Sequence, residues 1–298
     1  MKAQTKWSWL IAAYLFLAGV GGGAFVTGAV SDFAGWSEEL SRIGILLGFP
    51  CVLVGTVFLI FDLGNPKNFW RAYARPGTSW IARGTIIITI FMVVNFLYIV
   101  LWIWPFPEVI GASIPLKNFF NIFGSIFAFG TMIYTGILLG ASRPIAFWST
   151  AMLPLLFLVS AMSTGIMAVM LTSIISGSGV ELSQLAIWEK IDAQLIVIEI
   201  FILLFYLQGT HRVPESRASA RFVLKGSVAP LFWIGVVLLG ILIPLLLEIG
   251  IFGHSNTILI VATTSGIIGG FCLRQVVLSG GIHAPLKSGR FEYYLTNV

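Results

Sequence analysis

Eight apolar stretches, each long enough to cross the hydrocarbon core of a bilayer, occupy most of this chain. They run approximately over 7–30, 41–61, 80–104, 118–140, 147–175, 184–209, 228–249 and 256–280. The predicted fold is an all-α integral membrane protein with eight transmembrane helices. Composition agrees: 58% of the 298 residues are hydrophobic, only 10% are charged, and the mean hydropathy is +0.98. A soluble domain carries about 25% charged residues. So little charge cannot cover a water-facing surface, which excludes a soluble enzyme. The N-terminal Met1–Trp9 runs straight into an apolar stretch too long for a signal h-region, so the first span is expected to be retained.

The chain has little to bind a metal with. Cys51 and Cys272 both sit inside apolar runs. Two isolated cysteines cannot hold an iron–sulfur cluster, which typically takes four. His211, His254 and His283 lie at or beyond predicted helix ends, so facing histidines for a haem are missing and a haem-free chain is expected. The longest loops, 62–79 and 210–227, are too short for a soluble domain. Any redox centre other than a small diffusible cofactor must therefore sit on another chain.

Trp7, Trp9, Trp80, Trp102, Trp104 and Trp148 lie near span ends, as an interfacial belt requires. Pro50, Pro154, Pro230 and Pro244 fall inside spans and are read as packing kinks. Gly19 with Gly23, Gly136 with Gly140, and Gly266 with Gly270 form GxxxG pairs, which let helices approach closely. Eight spans put both termini on one side, here called the N face. It collects most of the Lys and Arg residues, among them Arg83, Arg143, Arg217, Arg221 and Arg274; the opposite face has Arg42, Lys117 and Lys190. On charge alone the N face is cytoplasmic.

The loop Asp62–Gly84 is the most informative segment. Gly64-Asn65-Pro66 is turn chemistry. Lys67, Arg71 and Arg75 follow at four-residue spacing, on one face if the segment is helical, with Trp70 and Tyr73 interleaved. This is either an interfacial helix touching anionic headgroups or a surface that docks a partner protein.

Three stretches then carry a resemblance: Tyr14–Gly23 in the first span, Asp62–Pro66 with Arg75–Trp80 after it, and Tyr134–Leu139 in the fourth span. In order and spacing they resemble the NrfD/PsrC family of reductase membrane subunits. The resemblance implies two stacked four-helix bundles, here residues 1–140 and 141–298. It implies a membrane anchor subunit that exchanges electrons between menaquinone or ubiquinone and an iron–sulfur (ferredoxin-like, four-cluster) partner, itself serving a catalytic, molybdopterin-type subunit. It places such a protein in a prokaryotic cytoplasmic membrane. Family members also serve catalytic subunits outside the membrane, which would put the N face outside.

By motif position, the quinone contacts would be Tyr14, Asp62 and Tyr134, with Trp70 beside them. Depth supports the trio. Tyr14 and Tyr134 lie about 10 Å and about 9 Å in from the N face, where Asp62 ends its span. Phenol and carboxyl groups can serve quinone carbonyls and move protons. Some relatives carry Asn and His where Ile11 and Tyr14 stand, and some carry His in place of Asp62.

In the sixth span Glu199 is central and Asp192, seven residues earlier, shares its face. An intramembrane carboxylate is a functional candidate by default. The pair is read either as a proton path from the opposite face or as a structural contact with Arg143 or Arg274. Arg274 is expected to snorkel to the N face, and Glu248 to be interfacial. Two other functions fit the composition: a secondary transporter or proton conductor, and a structural anchor without redox chemistry.

Overall fold

A computed structural model describes residues 8–62, 66–74, 76–107, 113–141, 145–250, 253, 255–282, 286–288 and 291–293. Among these, eight helices are long and apolar enough to cross a membrane. They are α1 (Trp9–Phe33), α2 (Glu38–Asp62), α3 (Trp80–Trp102), α4 (Ile114–Gly140), α5 (Met152–Ile175), α6 (Leu182–Gly209), α8 (Leu231–Glu248) and α9 (Asn256–Ser279). A short helix, α7 (Pro214–Lys225), fills the 210–227 loop and was not expected. It presents Arg217, Arg221 and Lys225 outward and buries Ser216, Ser219, Ala220 and Val223.

The helix starts are chemically marked. Ser8, Ser79 and Ser255 accept the orphan N–H groups of Leu10, Ala82 and Ile258 at 3.2, 3.4 and 3.3 Å. The Ser8 hydroxyl also donates to the Asp62 carboxylate, tying the start of α1 to the end of α2.

Contacts run in two rings. α1 packs on α2, α2 on α3, α3 on α4, and α4 back on α1; α5 packs on α6, α6 on α8, α8 on α9, and α9 back on α5. The rings meet chiefly through α1 against α5, and α5 takes at least one glycine of each GxxxG pair. A Cβ on Gly19 would touch Ala161; one on Gly23 would lie 2.2 Å from Ala161 O; one on Gly136 would lie 2.4 Å from Pro154 Cα; those on Gly266 and Gly270 would meet Met167 and Thr164. The α1–α5 approach is backbone on backbone, since Gly23 and Gly165 face each other. Gly165→Leu should therefore abolish accumulation of folded protein in membranes, whereas Gly130→Leu, with only Ile87 nearby, should be tolerated. Fluorescence-detected size exclusion of tagged variants checks this; equal, sharp peaks for both would refute it.

The prolines have separate solutions. In α2, Pro50 removes a ladder bond, and Asn95 of α3 inserts its amide one residue before it. With that amide oriented to suit both partners, it donates to Ile45 O at 3.0 Å and accepts from Phe49 N–H at 2.8 Å. Upstream of Pro244, residues Leu231–Leu242 are wound as a wider π-helix, and Ile243 N–H reaches Leu238 O, five residues back. Pro154 lies in the first turn of α5 and Pro230 just before α8, where a missing N–H costs little.

Four expectations are corrected. Trp148 is not a belt residue: it is 0% exposed, and its indole donates to Val277 O at 2.8 Å. Trp102 is likewise buried, stacked on Tyr98 with Lys117 over its ring. Arg274 does not snorkel. It is 1% exposed and donates to Ser160 Oγ at 2.6 Å, Gly270 O at 3.1 Å and Phe157 O at 3.3 Å. Glu248 is not interfacial, being 4% exposed and turned inward toward Asp192. The expected interfacial tryptophans Trp9, Trp80 and Trp104 are exposed as a belt requires; Trp7 lies outside the described residues.

Candidate functional site

The segment after α2, Pro66–Tyr73, is a 3₁₀-helix. At three residues per turn, positions four apart differ by about 120° rather than the roughly 40° of an α-helix. Lys67 and Arg71 therefore do not share a face, and Arg75 lies outside the described residues. Lys67 and Trp70 are exposed. Arg71 stacks on Trp70, 5.6 Å from its ring centre, and forms part of a cavity wall.

That cavity has a volume of about 880 Å³, within the range that holds small organic ligands. It is enclosed by α2, α3 and the 3₁₀ segment, with the inner ends supplied by α1 and α4. Its lining is apolar. Val93, Phe96 and Leu97 of α3 line it and are exposed apolar residues within a membrane span, as a wall open toward lipid requires. Tyr73 and Thr89, both in the wall, share a hydrogen bond of 2.8 Å between the 3₁₀ segment and α3.

Tyr14 of α1 and Tyr134 of α4 stand at the inner end. Both are buried, at 1% and 5% exposure, and they lie within electrostatic reach of each other. Neither hydroxyl has a hydrogen-bond partner among the described residues. The other tyrosines with described side chains all have one: Tyr73 pairs with Thr89, Tyr98 donates to Asn121 at 2.8 Å, and Tyr206 donates to Phe147 O at 2.8 Å. Two unpaired phenols at the end of an apolar cavity are a poised set of donors and acceptors.

Asp62 is placed differently. It ends α2 just beyond Leu59 and Ile60, which line the cavity, but its carboxylate receives the Ser8 hydroxyl and is not part of the wall. Trp70 is also outside the wall. The structure thus brings Tyr14 and Tyr134 together with Arg71, which the sequence suggested for headgroup contact or partner docking.

The second ring holds a separate polar cluster. Asp192 and Glu248 face each other across α6 and α8. Ser163 stands beside Asp192, yet none of the four carboxyl oxygens receives an N–H or hydroxyl in good geometry among the described residues. Further along α6, Glu199 faces Arg274, with Ser160 next to both. Ser160, Ser163, Thr164 and Glu199 border a cavity of about 10 Å³, room for one water. Arg143, the alternative partner for Glu199, lies outside the described residues. No group of three or more His, Cys, Asp or Glu side chains able to hold a metal occurs among the described residues.

Residues 1–285 match the family described as polysulphide reductase, NrfD. The chain belongs to the NrfD family. It is 28% identical to the protein NrfD homolog of Haemophilus influenzae and 27% identical to the C component of the polysulfide reductase of Wolinella succinogenes. Each comparison covers 92% of this chain and 94% of the relative. The C component of the selenate reductase of Mesobacillus selenatarsenatis is 23% identical, over 99% of this chain and 78% of that protein. This NrfD-family chain is thus a multi-pass membrane protein, as its eight apolar helices require.

Proposed function

We propose that this NrfD-family chain is the quinone-reacting membrane subunit of a multi-subunit oxidoreductase. The observation that carries this reading is the pair of hydroxyls, on Tyr14 and Tyr134, left without a partner among the described residues at the inner end of a lipid-facing apolar cavity. The names of its relatives, C components of polysulfide and selenate reductases, support a place in a reductase complex. The ring formed by α1–α4, within residues 1–140, would be the quinone-reacting bundle. The ring within 141–298 would be the second.

A quinone supplies two-electron, two-proton redox chemistry. The residues supply position. A phenol both donates and accepts, so Tyr14 and Tyr134 can hold a carbonyl oxygen or a hydroxyl and pass its proton on. The apolar walls would take an isoprenoid tail, with the head at the inner end beside Tyr14 and Tyr134. Arg71, the cation in the wall, favours negative charge developing there. Asp62, held by Ser8 at the end of α2, lies where a proton could leave toward the N face. Lys67 and Trp70 are exposed beside the cavity mouth and would meet an iron–sulfur subunit, which in turn serves a catalytic subunit, in the family's scheme a molybdopterin one. The basic N face would be cytoplasmic by its charge.

Asp192, Glu248 and Glu199 form a line of carboxyls through the second ring, which we propose as a proton path from the opposite face. Glu199→Gln should leave the complex assembled but slow its turnover or uncouple proton movement. Wild-type values for both in proteoliposomes would assign the line a purely structural role. Isolation of the tagged chain from native membranes in mild detergent tests the larger reading. An accompanying iron–sulfur subunit and bound quinone are expected. A chain that emerges alone and quinone-free would contradict it.

A further inference from the structure

Gly84, in the first turns of α3, touches Tyr134 more closely than any side chain would allow. A Cβ built there would lie 1.7 Å from Tyr134 Cζ and 1.9 and 2.2 Å from Cε2 and Cε1. These are the ring atoms at the hydroxyl end. The bare backbone of α3 is thus a flat seat under the part of the phenol that carries its oxygen. The seat is itself anchored. Ser79 caps α3, and Arg83 donates to Pro76 O at 2.9 Å and Gly77 O at 2.6 Å while stacking 4.7 Å over Trp80. The next residue, Thr85, lines the cavity. Glycine inside a helix costs about 1 kcal/mol relative to alanine. Helix formation alone therefore gives no reason for glycine at this position, whereas the Tyr134 contact does.

We infer that Gly84 is a positioning residue for Tyr134: its missing side chain sets where the phenol oxygen meets the ligand at the inner end of the cavity. This rests on the quinone reading of that cavity. A methyl at position 84 cannot coexist with the ring as placed, so the ring end must shift. A shift of about 1 Å in a group that positions a reacting atom can cost a hundredfold in rate.

The test is a double-mutant cycle in the assembled complex, with quinol-driven turnover resolved into kcat and KM. Gly84→Ala is expected to lower kcat at least 10-fold. In a Tyr134→Phe background, where no hydroxyl remains to be displaced, it is expected to add little. Unchanged kcat in Gly84→Ala would overturn the inference. So would an equal further loss on top of Tyr134→Phe, because the effect would then be independent of the hydroxyl. If Tyr134→Phe alone turns over normally, the quinone reading of the site fails and the inference falls with it. If Gly84→Ala does not accumulate, Gly84→Ala with Tyr134→Ser should restore accumulation, because the clash is with the ring alone. Failure of that pair as well would place the clash elsewhere and overturn the inference.

Discussion

Tyr134→Phe should reduce quinol oxidation by the complex at least 10-fold while leaving assembly intact. The substitution removes one hydroxyl and keeps the ring on Gly84, so packing is unchanged. What is lost is a hydrogen bond to the reacting oxygen, about 1.5 kcal/mol or more in a dry site, or roughly a factor of 10. If the hydroxyl also relays a proton, the loss reaches about 100-fold or beyond. Steady-state kinetics with a soluble quinol and an artificial electron acceptor would measure it. Tyr98→Phe, which breaks the bond to Asn121 and lies outside the cavity wall, is the control and should turn over normally. Equal rates for wild type and Tyr134→Phe would remove this phenol from the mechanism.

The second large effect concerns stability. Arg274→Leu should destabilise the fold by about 3–5 kcal/mol, because each buried acceptor left without its donor costs about 1–3 kcal/mol. Glu199 would be left facing an apolar side chain, while Ser160 Oγ and the Phe157 and Gly270 carbonyls would lose their donor. Adding Glu199→Gln removes the stranded charge, so the double variant should regain a good part of the loss. Thermal unfolding in detergent reads both. A double variant no more stable than Arg274→Leu would show that the pairing with Glu199 contributes nothing. The same geometry makes Arg274 a junction between the rings. Its Nη2 lies 3.4 Å from a Cβ built on Gly19 of α1, and its Nη1 bonds to Ser160 of α5.

Apolar run length made the eight spans legible, because a continuous run of about 20 apolar residues crosses the hydrocarbon core as a helix. The start of α5 moved because Phe147 and Trp148 are apolar yet form a turn, where Tyr206 and Val277 satisfy their polar groups. GxxxG marked close approaches on α1, α4 and α9, but a local motif cannot say that all of them meet α5. Arg274 and Glu248 were misplaced for a related reason. Nearness to a helix end suggests an interfacial side chain, whereas the direction of the side chain decides, and both point into the ring. At the site, depth along the helices placed Tyr14 and Tyr134 together. Arg71 was hidden by an assumed α-helical period in a segment that winds as 3₁₀. Gly84 was silent, since its meaning lies wholly in a ring 50 residues away in sequence.

The central claim is that the lipid-facing cavity ending at Tyr14 and Tyr134 receives the quinone head. Photolabelling of the complex in native membranes with an azidoquinone, followed by peptide mapping, tests it directly. The account predicts saturable labelling confined to the cavity lining, on α1 and α4 around Tyr14 and Tyr134 and on the walls of α2, α3 and the Pro66–Tyr73 segment, lost on competition with excess quinol and weakened in Tyr14→Phe with Tyr134→Phe. Saturable labelling elsewhere on the protein, or none on it while a partner subunit is labelled, would contradict it.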